Sequence, residues 1–281
     1  MTKIIKKRMK FLLELFTIIT LTAITTTHLQ GQNSANRKGK MYMYWGWNQS
    51  QYTTSDIRFH GDNYDFTLEN VIGRERQTPF EAKIYFNPTT ITIPQVNYRI
   101  GYFIRNNYDI SFGIDHMKYV MKQDQTVKIN GYVKQTGSRF DGNYTNQDIV
   151  LTEDFLTFEH TDGLNYLNFE VNRYDKIADL SKIKLKNVEI NLTEGVSVGA
   201  MMPKTNTKLL QNKRYDEYHF AGYGIGVKVG LNVTFGRYFF IQSDMKGGFI
   251  NMPDIRTTAS ASDRAAQHFW FWQGNFYLDF K

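Results

Sequence analysis

The chain has 281 residues, no cysteine, and 34 Lys and Arg against 27 Asp and Glu, for a formal charge of +7. Without cysteine it can be neither disulfide-stapled nor a lipoprotein. Its 21 Phe, 18 Tyr, 21 Gly and only 5 Pro suit a continuous sheet better than a helical domain, and a mean hydropathy of −0.47 excludes a multi-helix membrane protein but not a membrane sheet, whose strands are only half apolar.

Lys3, Lys6, Lys7, Arg8 and Lys10 precede an apolar, Thr-rich run over 11–27, which ends in His28-Leu29-Gln30-Gly31-Gln32. This pattern predicts a secretory signal peptide, residues 1–31, cut near Gly31/Gln32. A helical anchor is the other reading, but Glu14 interrupts the run, which is short for a span needing about 20 apolar residues. Residues 1–31 hold five basic residues and one acidic residue, so removing them lowers the formal charge from +7 to +3. That balance, with no clustered basic face, argues against nucleic-acid binding. No Pro- or Ser-rich linker and no repeat divides residues 32–281, which read as one β domain.

Side chains alternate across a strand, so a two-residue period marks each element. Segment 41–48 places Tyr42 and Tyr44 on one face and Trp45 and Trp47 on the other. Segments 55–60 and 64–72 are weaker, with the turn-like Gly61-Asp62-Asn63 between them. Segments 96–105 and 108–117 flank a short link at Asn106-Asn107-Tyr108. A long polar stretch, about 121–163, reads as a loop, or as two extended strands with 148–159 paired onto 126–134. Segment 164–172 is weak. Segment 187–200 carries Val188, Ile190, Leu192, Val196 and Val198 on one face, with Glu194 as the misfit. The clearest alternation is 220–234, where Tyr223, Ile225, Val227, Val229 and Leu231 interleave with Gly222, Gly224, Gly226, Lys228 and Gly230. Segment 237–249 repeats the pattern, and 201–218 and 251–267 read as further loops. The last strand, 269–280, sets Trp270, Trp272, Phe276, Leu278 and Phe280 against Gln273, Asn275, Tyr277 and Asp279.

These strands predict an all-β, transmembrane, antiparallel up-and-down barrel. With both termini and the short turns on the periplasmic side, counting back from the C-terminus leaves one descending strand missing between 41–48 and 64–72. Segment 55–60 supplies it, giving ten strands, with eight as the alternative. A three-residue hairpin loop at Asn106-Asn107-Tyr108 sets Arg105 opposite Asp109 and Arg99 opposite Asp115. The same rule at Phe235-Gly236-Arg237 sets Lys228 opposite Asp244, and opposite charges facing across strands are favourable. With Asp65, Glu69, Glu189, Lys246 and Asp279 added, the expectation is a lumen crossed by a mixed-sign network. A barrel this small is filled by its side chains. The inward glycines relieve crowding while Tyr238 and Phe240 fill the space, so an open pore is not expected and a narrow channel is the alternative.

Taken together, the segments resemble the small outer-membrane β-barrel proteins of Gram-negative bacteria. The resemblance covers nearly all of residues 32–281 and rests on architecture, with no signature motif. Phe276, Leu278 and Phe280 match the aromatic ending by which that family is recognised during assembly, although Lys281 follows it. The resemblance implies an outer-membrane location, insertion by the barrel-assembly machinery with periplasmic chaperones, and contact with outer-membrane lipid and lipopolysaccharide.

Histidines near acids support an alternative hydrolase reading. His160 lies near Asp162, His219 near Asp216 and Glu217, and His268 near Asp263, and an Asp can orient a His that activates water. Similarity to ten-stranded outer-membrane proteases would require paired aspartates and an Asp-His couple at the rim, and none of that family's local motifs is present. His219, His268, Asp216 and Asp263 are the catalytic candidates of that alternative. Asp115 and His116 are adjacent on a strand and so face opposite sides, lumen and lipid. The glycine run at 222–226 continues as strand where a phosphate cradle needs a helix, and His60 with Asp62 lacks a second His, so no cofactor or metal is expected. The leading expectation is a structural, adhesive or accessory barrel whose extracellular loops bind a protein or glycan. A secreted β-sandwich is a further structural alternative.

Overall fold

The computed structural model describes residues 36–87, 93–180, 188–210, 217–236 and 239–280. The predicted signal peptide, Asp216 and Tyr238 lie outside these residues. Strands follow in chain order as β1 (Met41–Tyr52), β2 (Ser55–Gly61), β3 (Tyr64–Val71), β4 (Gly73–Arg74), β5 (Val96–Arg105), β6 (Tyr108–Met121), β7 (Thr126–Val133) and β8 (Gly142–Val150). They continue as β9 (Leu156–Asp179), β10 (Val188–Pro203), β11 (Asn206–Leu209), β12 (Gly222–Phe235), β13 (Phe239–Arg256) and β14 (Arg264–Phe280), and the described residues include a short helix, α1 (Ala82–Tyr85).

Eight long strands pair in the order β1-β5-β6-β9-β10-β12-β13-β14, and β14 pairs back onto β1 from Met43↔Phe280 to Tyr52↔Phe271. Each wall strand therefore has two neighbours, which removes the exposed edges of an open sheet. A circuit of the registers from Phe103 through Asp109, Asn172, Gly195, Lys228, Lys246, Gln273 and Ser50 returns to β5 near position 93. This stagger of roughly ten residues supplies the strand tilt that closure requires.

The expected ten strands become eight in the ring. Segments 55–60 and 64–72 do form strands, β2 and β3, but outside the wall. β14 is 17 residues long and outruns β1, which ends opposite Phe271. Beyond that point Arg264–Gln267 pair with β2, and the sheet continues through β3 and β7 to β8. An extension of the wall shares its two-residue period, so periodicity could not separate the two. Residues 121–163 are likewise no loop. β7 pairs with β8 in the register Thr126↔Val150, so of the expected partner segment 148–159 only 148–150 takes part, because Leu156–Glu159 already belongs to β9 and pairs with β11.

The β2-β3-β7-β8 extension and the upper ends of β6, β9, β13 and β14, including residues 156–162 of β9, form a lobe over one end of the ring. Ile57, Phe59, Phe66, Leu68, Ile129, Phe155, Phe158 and Phe269 are buried together in its apolar core. At the opposite end, where the short links lie, Tyr42, Tyr44, Phe103, Tyr174, Phe240 and Tyr277 form a buried aromatic layer. The Arg37 guanidinium covers that layer 5.3 Å from the Tyr174 ring centre.

The outer wall is apolar. Ile100, Phe112, Phe169, Val198, Ile225, Val229, Met245 and Trp272 are all exposed. Trp47 stacks outside at 6.4 Å from Phe276 and meets Phe86, just past α1, at 5.3 Å. The inward glycines of β12 make room for neighbours. A Cβ on Gly224 would lie 2.9 Å from the Tyr166 ring, and one on Gly230 would strike Asp244.

Phe59 stacks on Phe66 at 5.4 Å and meets Phe158 edge-on at the same distance. Phe59→Ala should cost about 3–5 kcal/mol locally. The expected outcome is rapid proteolytic cutting within the lobe while the ring still migrates in gels as a folded species.

Candidate functional site

The ring's interior converges on six buried ionisable side chains, three basic and three acidic: Arg99, Lys228, Lys246, Asp115, Glu170 and Asp244. Glu170 sits at their centre. Its Oε1 is 3.1 Å from Arg99 Nη2 and 2.9 Å from Lys246 Nζ, and its Oε2 is 2.5 Å from Lys228 Nζ. Lys246 also reaches Asp115 Oδ2 at 2.5 Å. A charge withdrawn from water must recover its solvation from partners, and equal numbers of each sign allow that.

Neutral groups satisfy the rest. Arg99 donates from Nε to the Tyr44 hydroxyl at 2.9 Å and from Nη2 to Asn168 Oδ1 at 2.7 Å. Asp244 accepts from Asn275 Nδ2 at 2.7 Å and from Gln242 Nε2 at 3.2 Å. Asp109 lies toward the aromatic layer and accepts from the Tyr42 hydroxyl at 2.9 Å and Asn172 Nδ2 at 2.8 Å. The arrangement binds its own charges to one another and has the chemistry of a polar core.

Arg99 and Asp115 lie 3.5 Å apart, and Lys228 and Asp244 3.9 Å apart, although neither pair is directly opposed. Arg99 faces Gly113 and Lys228 faces Lys246, so both pairs meet diagonally, two residues off the expected register. Arg105 and Asp109 do not meet. Arg105 faces Tyr108 across a two-residue turn, and an irregularity after Phe103 sets Phe103 opposite Asp109, leaving Arg105 exposed outside. Lys246 joins the network, but Asp65 pairs with Arg58 on the lobe surface at 2.7 Å and Glu69 accepts from Asn130 there. Glu189 lies 3.6 Å from Arg37 at the short-link end.

Glu170 is the residue that sequence reasoning missed. Its signal was present, since Asn168, Glu170 and Asn172 alternate with Leu167, Phe169 and Val171.

Among the described residues the hydrolase candidates are not assembled, and Asp216 lies outside them. His219 Nε2 accepts from the Arg256 backbone N–H at 3.0 Å, so its Nδ1 donates to the Glu217 carbonyl at 3.1 Å, and burial holds its pKa below the ordinary value. His268 is exposed beside Phe249, at 6.0 Å between rings, while Asp263 accepts from Thr258 Oγ1 at 2.6 Å. His116, expected at the lipid boundary, is instead buried, and its Nδ1 meets Asn165 Oδ1 of the neighbouring β9 at 2.7 Å.

Fold and interior together define an antiparallel eight-strand ring with a packed polar core and a capping lobe. No protein-family model and no curated protein matches the chain. Among solved structures it is similar to the outer membrane protein OprG of Pseudomonas aeruginosa, at 8% identity and a TM-score of 0.37 over 88% of this chain and 99% of that one. It is also similar to the outer membrane protein AlkL in lipid bilayers, at 10% identity and a TM-score of 0.36 over 89% and 92% of the two chains. Ail, the attachment invasion locus protein of Yersinia pestis, matches at 9% identity and a TM-score of 0.29 over 85% and 99%. These are small outer-membrane β-barrel proteins. The ring itself is established by the strand pairings.

Glu170→Gln leaves three buried cations with two anions and should cost about 3–5 kcal/mol. It is expected to lower the temperature at which the folded gel band converts to the unfolded one, whereas Arg105→Ala should stay within about 0.5 kcal/mol of the parent.

His160 gives a pH prediction for the lobe. Burial lowers its pKa from 6.5 to about 3, and its Nδ1 lies 3.0 Å from Thr205 Oγ1. As pH falls, the unfolded chain takes up this proton first. The histidine's contribution is therefore complete above about pH 6.5 and is lost as pH falls toward 3. Proteolysis of the lobe should accelerate between pH 7 and pH 4, and less steeply in His160→Gln.

Proposed function

We propose that the protein is an integral outer-membrane barrel of a Gram-negative envelope, with a structural, adhesive or accessory role carried by its lobe. The observation that carries this reading is the inversion of polarity across the ring wall. Three ion pairs' worth of charge lies inside, while Phe112, Phe169, Val198, Ile225, Val229 and Met245 face outward and exposed. A soluble protein places those groups the other way round, and a β-sandwich would need a second sheet over this belt. The belt also has borders suited to a bilayer. Trp270 and Trp272 mark the lobe side, and the outward Arg173–Asp175 pair, 2.8 Å apart, marks the short-link side.

In this reading the short links are periplasmic and the lobe is extracellular, offering its surface to a protein or glycan. The final aromatic strand is the element that the barrel-assembly machinery engages. The network and the apolar lobe core lie in series along the axis, which supports a closed lumen over a channel.

Fractionation with heat-dependent gel mobility, followed by conductance in planar bilayers, tests the proposal. The expected result is a heat-modifiable outer-membrane protein with no conductance steps. A soluble product that does not shift on heating overturns the membrane reading, and steady conductance overturns the closed lumen.

A further inference from the structure

β5 begins at Val96, opposite Trp47, while its neighbours β1 and β6 run on toward the lobe to Tyr52 and Met121. Side chains bridge the gap that this leaves in the wall. Asn48 Nδ2 donates to the His116 carbonyl at 3.2 Å, and the Tyr52 hydroxyl donates to the Lys118 carbonyl at 2.8 Å. Glu75 Oε1 accepts from the Ser50 backbone N–H at 2.5 Å, and Gln95 Nε2 donates to Glu75 and, at 3.2 Å, to the Asn48 carbonyl. The connection from β4 to β5 is thus pinned into the wall by Glu75 at one end and Gln95 at the other. Between them, α1 and the residues that flank it lie outside the wall, against Trp47.

This connection continues the apolar belt. Phe86 meets Trp47 edge-on at 5.3 Å, and Trp47 in turn stacks on Phe276 at 6.4 Å. Tyr85 is buried beneath, with its hydroxyl donating to the Thr78 carbonyl at 2.6 Å. Phe80 packs on Tyr85 at 5.0 Å yet stays 71% exposed, and Phe86 is 53% exposed. β1 fixes their height along the axis. Trp47 is its last outward apolar side chain, and the exposed Gln49 and Gln51 follow on the same face, where Gln51 accepts from the Trp272 indole at 3.0 Å. The border of the belt therefore runs between Trp47 and Gln49, and α1 sits on it. Glu81 and Lys83 are both exposed, so this short stretch holds charges that stay in water beside rings that suit hydrocarbon.

We propose that residues 79–86 form an interfacial anchor outside the barrel, with Phe80 and Phe86 inserted among the acyl chains of the lobe-side leaflet. The proposal rests on the membrane reading above and adds to it a segment, separate from the strands, that grips the leaflet. Acyl chains fit better than a protein partner because the exposed rings extend the row of Trp47 and Phe276, which already belongs to the belt.

The chain has no cysteine, so one introduced cysteine carries one nitroxide label. Full-length Phe80→Cys, Phe86→Cys, Ile225→Cys on the belt and Thr145→Cys on the lobe are labelled in phosphatidylcholine vesicles. Electron paramagnetic resonance then reads how often each label collides with oxygen and with a polar nickel chelate, which hydrocarbon excludes. Labels at 80 and 86 should meet the chelate roughly ten-fold less often than the label at 145, and oxygen as often as the label at 225. Phe80→Cys removes a mostly exposed ring and decides the question if Phe86→Cys, which uncovers Trp47, fails to fold. Chelate collisions at 80 equal to those at 145, with 225 protected, overturn the anchor alone. Chelate that reaches 225 as freely as 145 overturns the membrane reading. A label at 80 shielded from both oxygen and chelate overturns the lipid as occupant, in favour of a protein surface such as a second copy of the chain.

Discussion

Eight strands closed into a ring enclose a space scarcely wider than the side chains pointing into it. Inward charges must therefore find their partners among other inward groups, and that constraint organises the rest of the molecule. It explains why the charges are balanced, why asparagines and tyrosines surround them, and why β12 carries glycine where Tyr166 and Asp244 press against it. A carboxylate held by three cations from three other strands also ties the wall together across its diameter. Arg99 comes from β5, Glu170 from β9, Lys228 from β12 and Lys246 from β13.

Unequal strand lengths produce the second level of organisation. Because β14 continues past the end of β1, its free edge must find another partner, and β2 supplies it. The lobe is thus the ring's own sheet continued after the wall has split. Its inner face is apolar and the ring's is charged, so the axis passes from an aromatic layer through an ionic layer to an aliphatic and aromatic core. Tyr166 stands at the junction. Its ring lies 4.9 Å from Lys246 Nζ and 6.5 Å from Phe271.

Strand positions were legible in the sequence wherever one face met the outside and the other the interior. Segment 96–105 matches β5 at both ends, and Tyr42, Tyr44, Trp45 and Trp47 take the faces their alternation implied. Partnership was less legible. A period of two says that a segment is a strand but not whether its neighbour is wall or extension, which is how β2 and β3 came to be counted in the ring. Register was legible only to within two residues, the step that preserves facing. That is why Arg99 and Lys228 still reach their acids on the diagonal, while Arg105, past an irregularity, turns to the other face. Glu170 was obscured by its segment, whose apolar face is short. The lobe core, built from residues far apart in the chain, left no local trace.

Ring closure also has a kinetic meaning. The pairing that completes the wall joins Tyr52 to Phe271, nearly the full span of the described chain. A contact of such high sequence separation bears the largest loop-closure entropy and forms late. Until β14 is in place, β1 and β13 each present an unpaired edge, and the buried acids lack part of their surroundings. The open intermediate is therefore both adhesive toward other strands and electrostatically incomplete. Its lifetime, more than the strength of the finished wall, sets how much of the newly made chain reaches the native state.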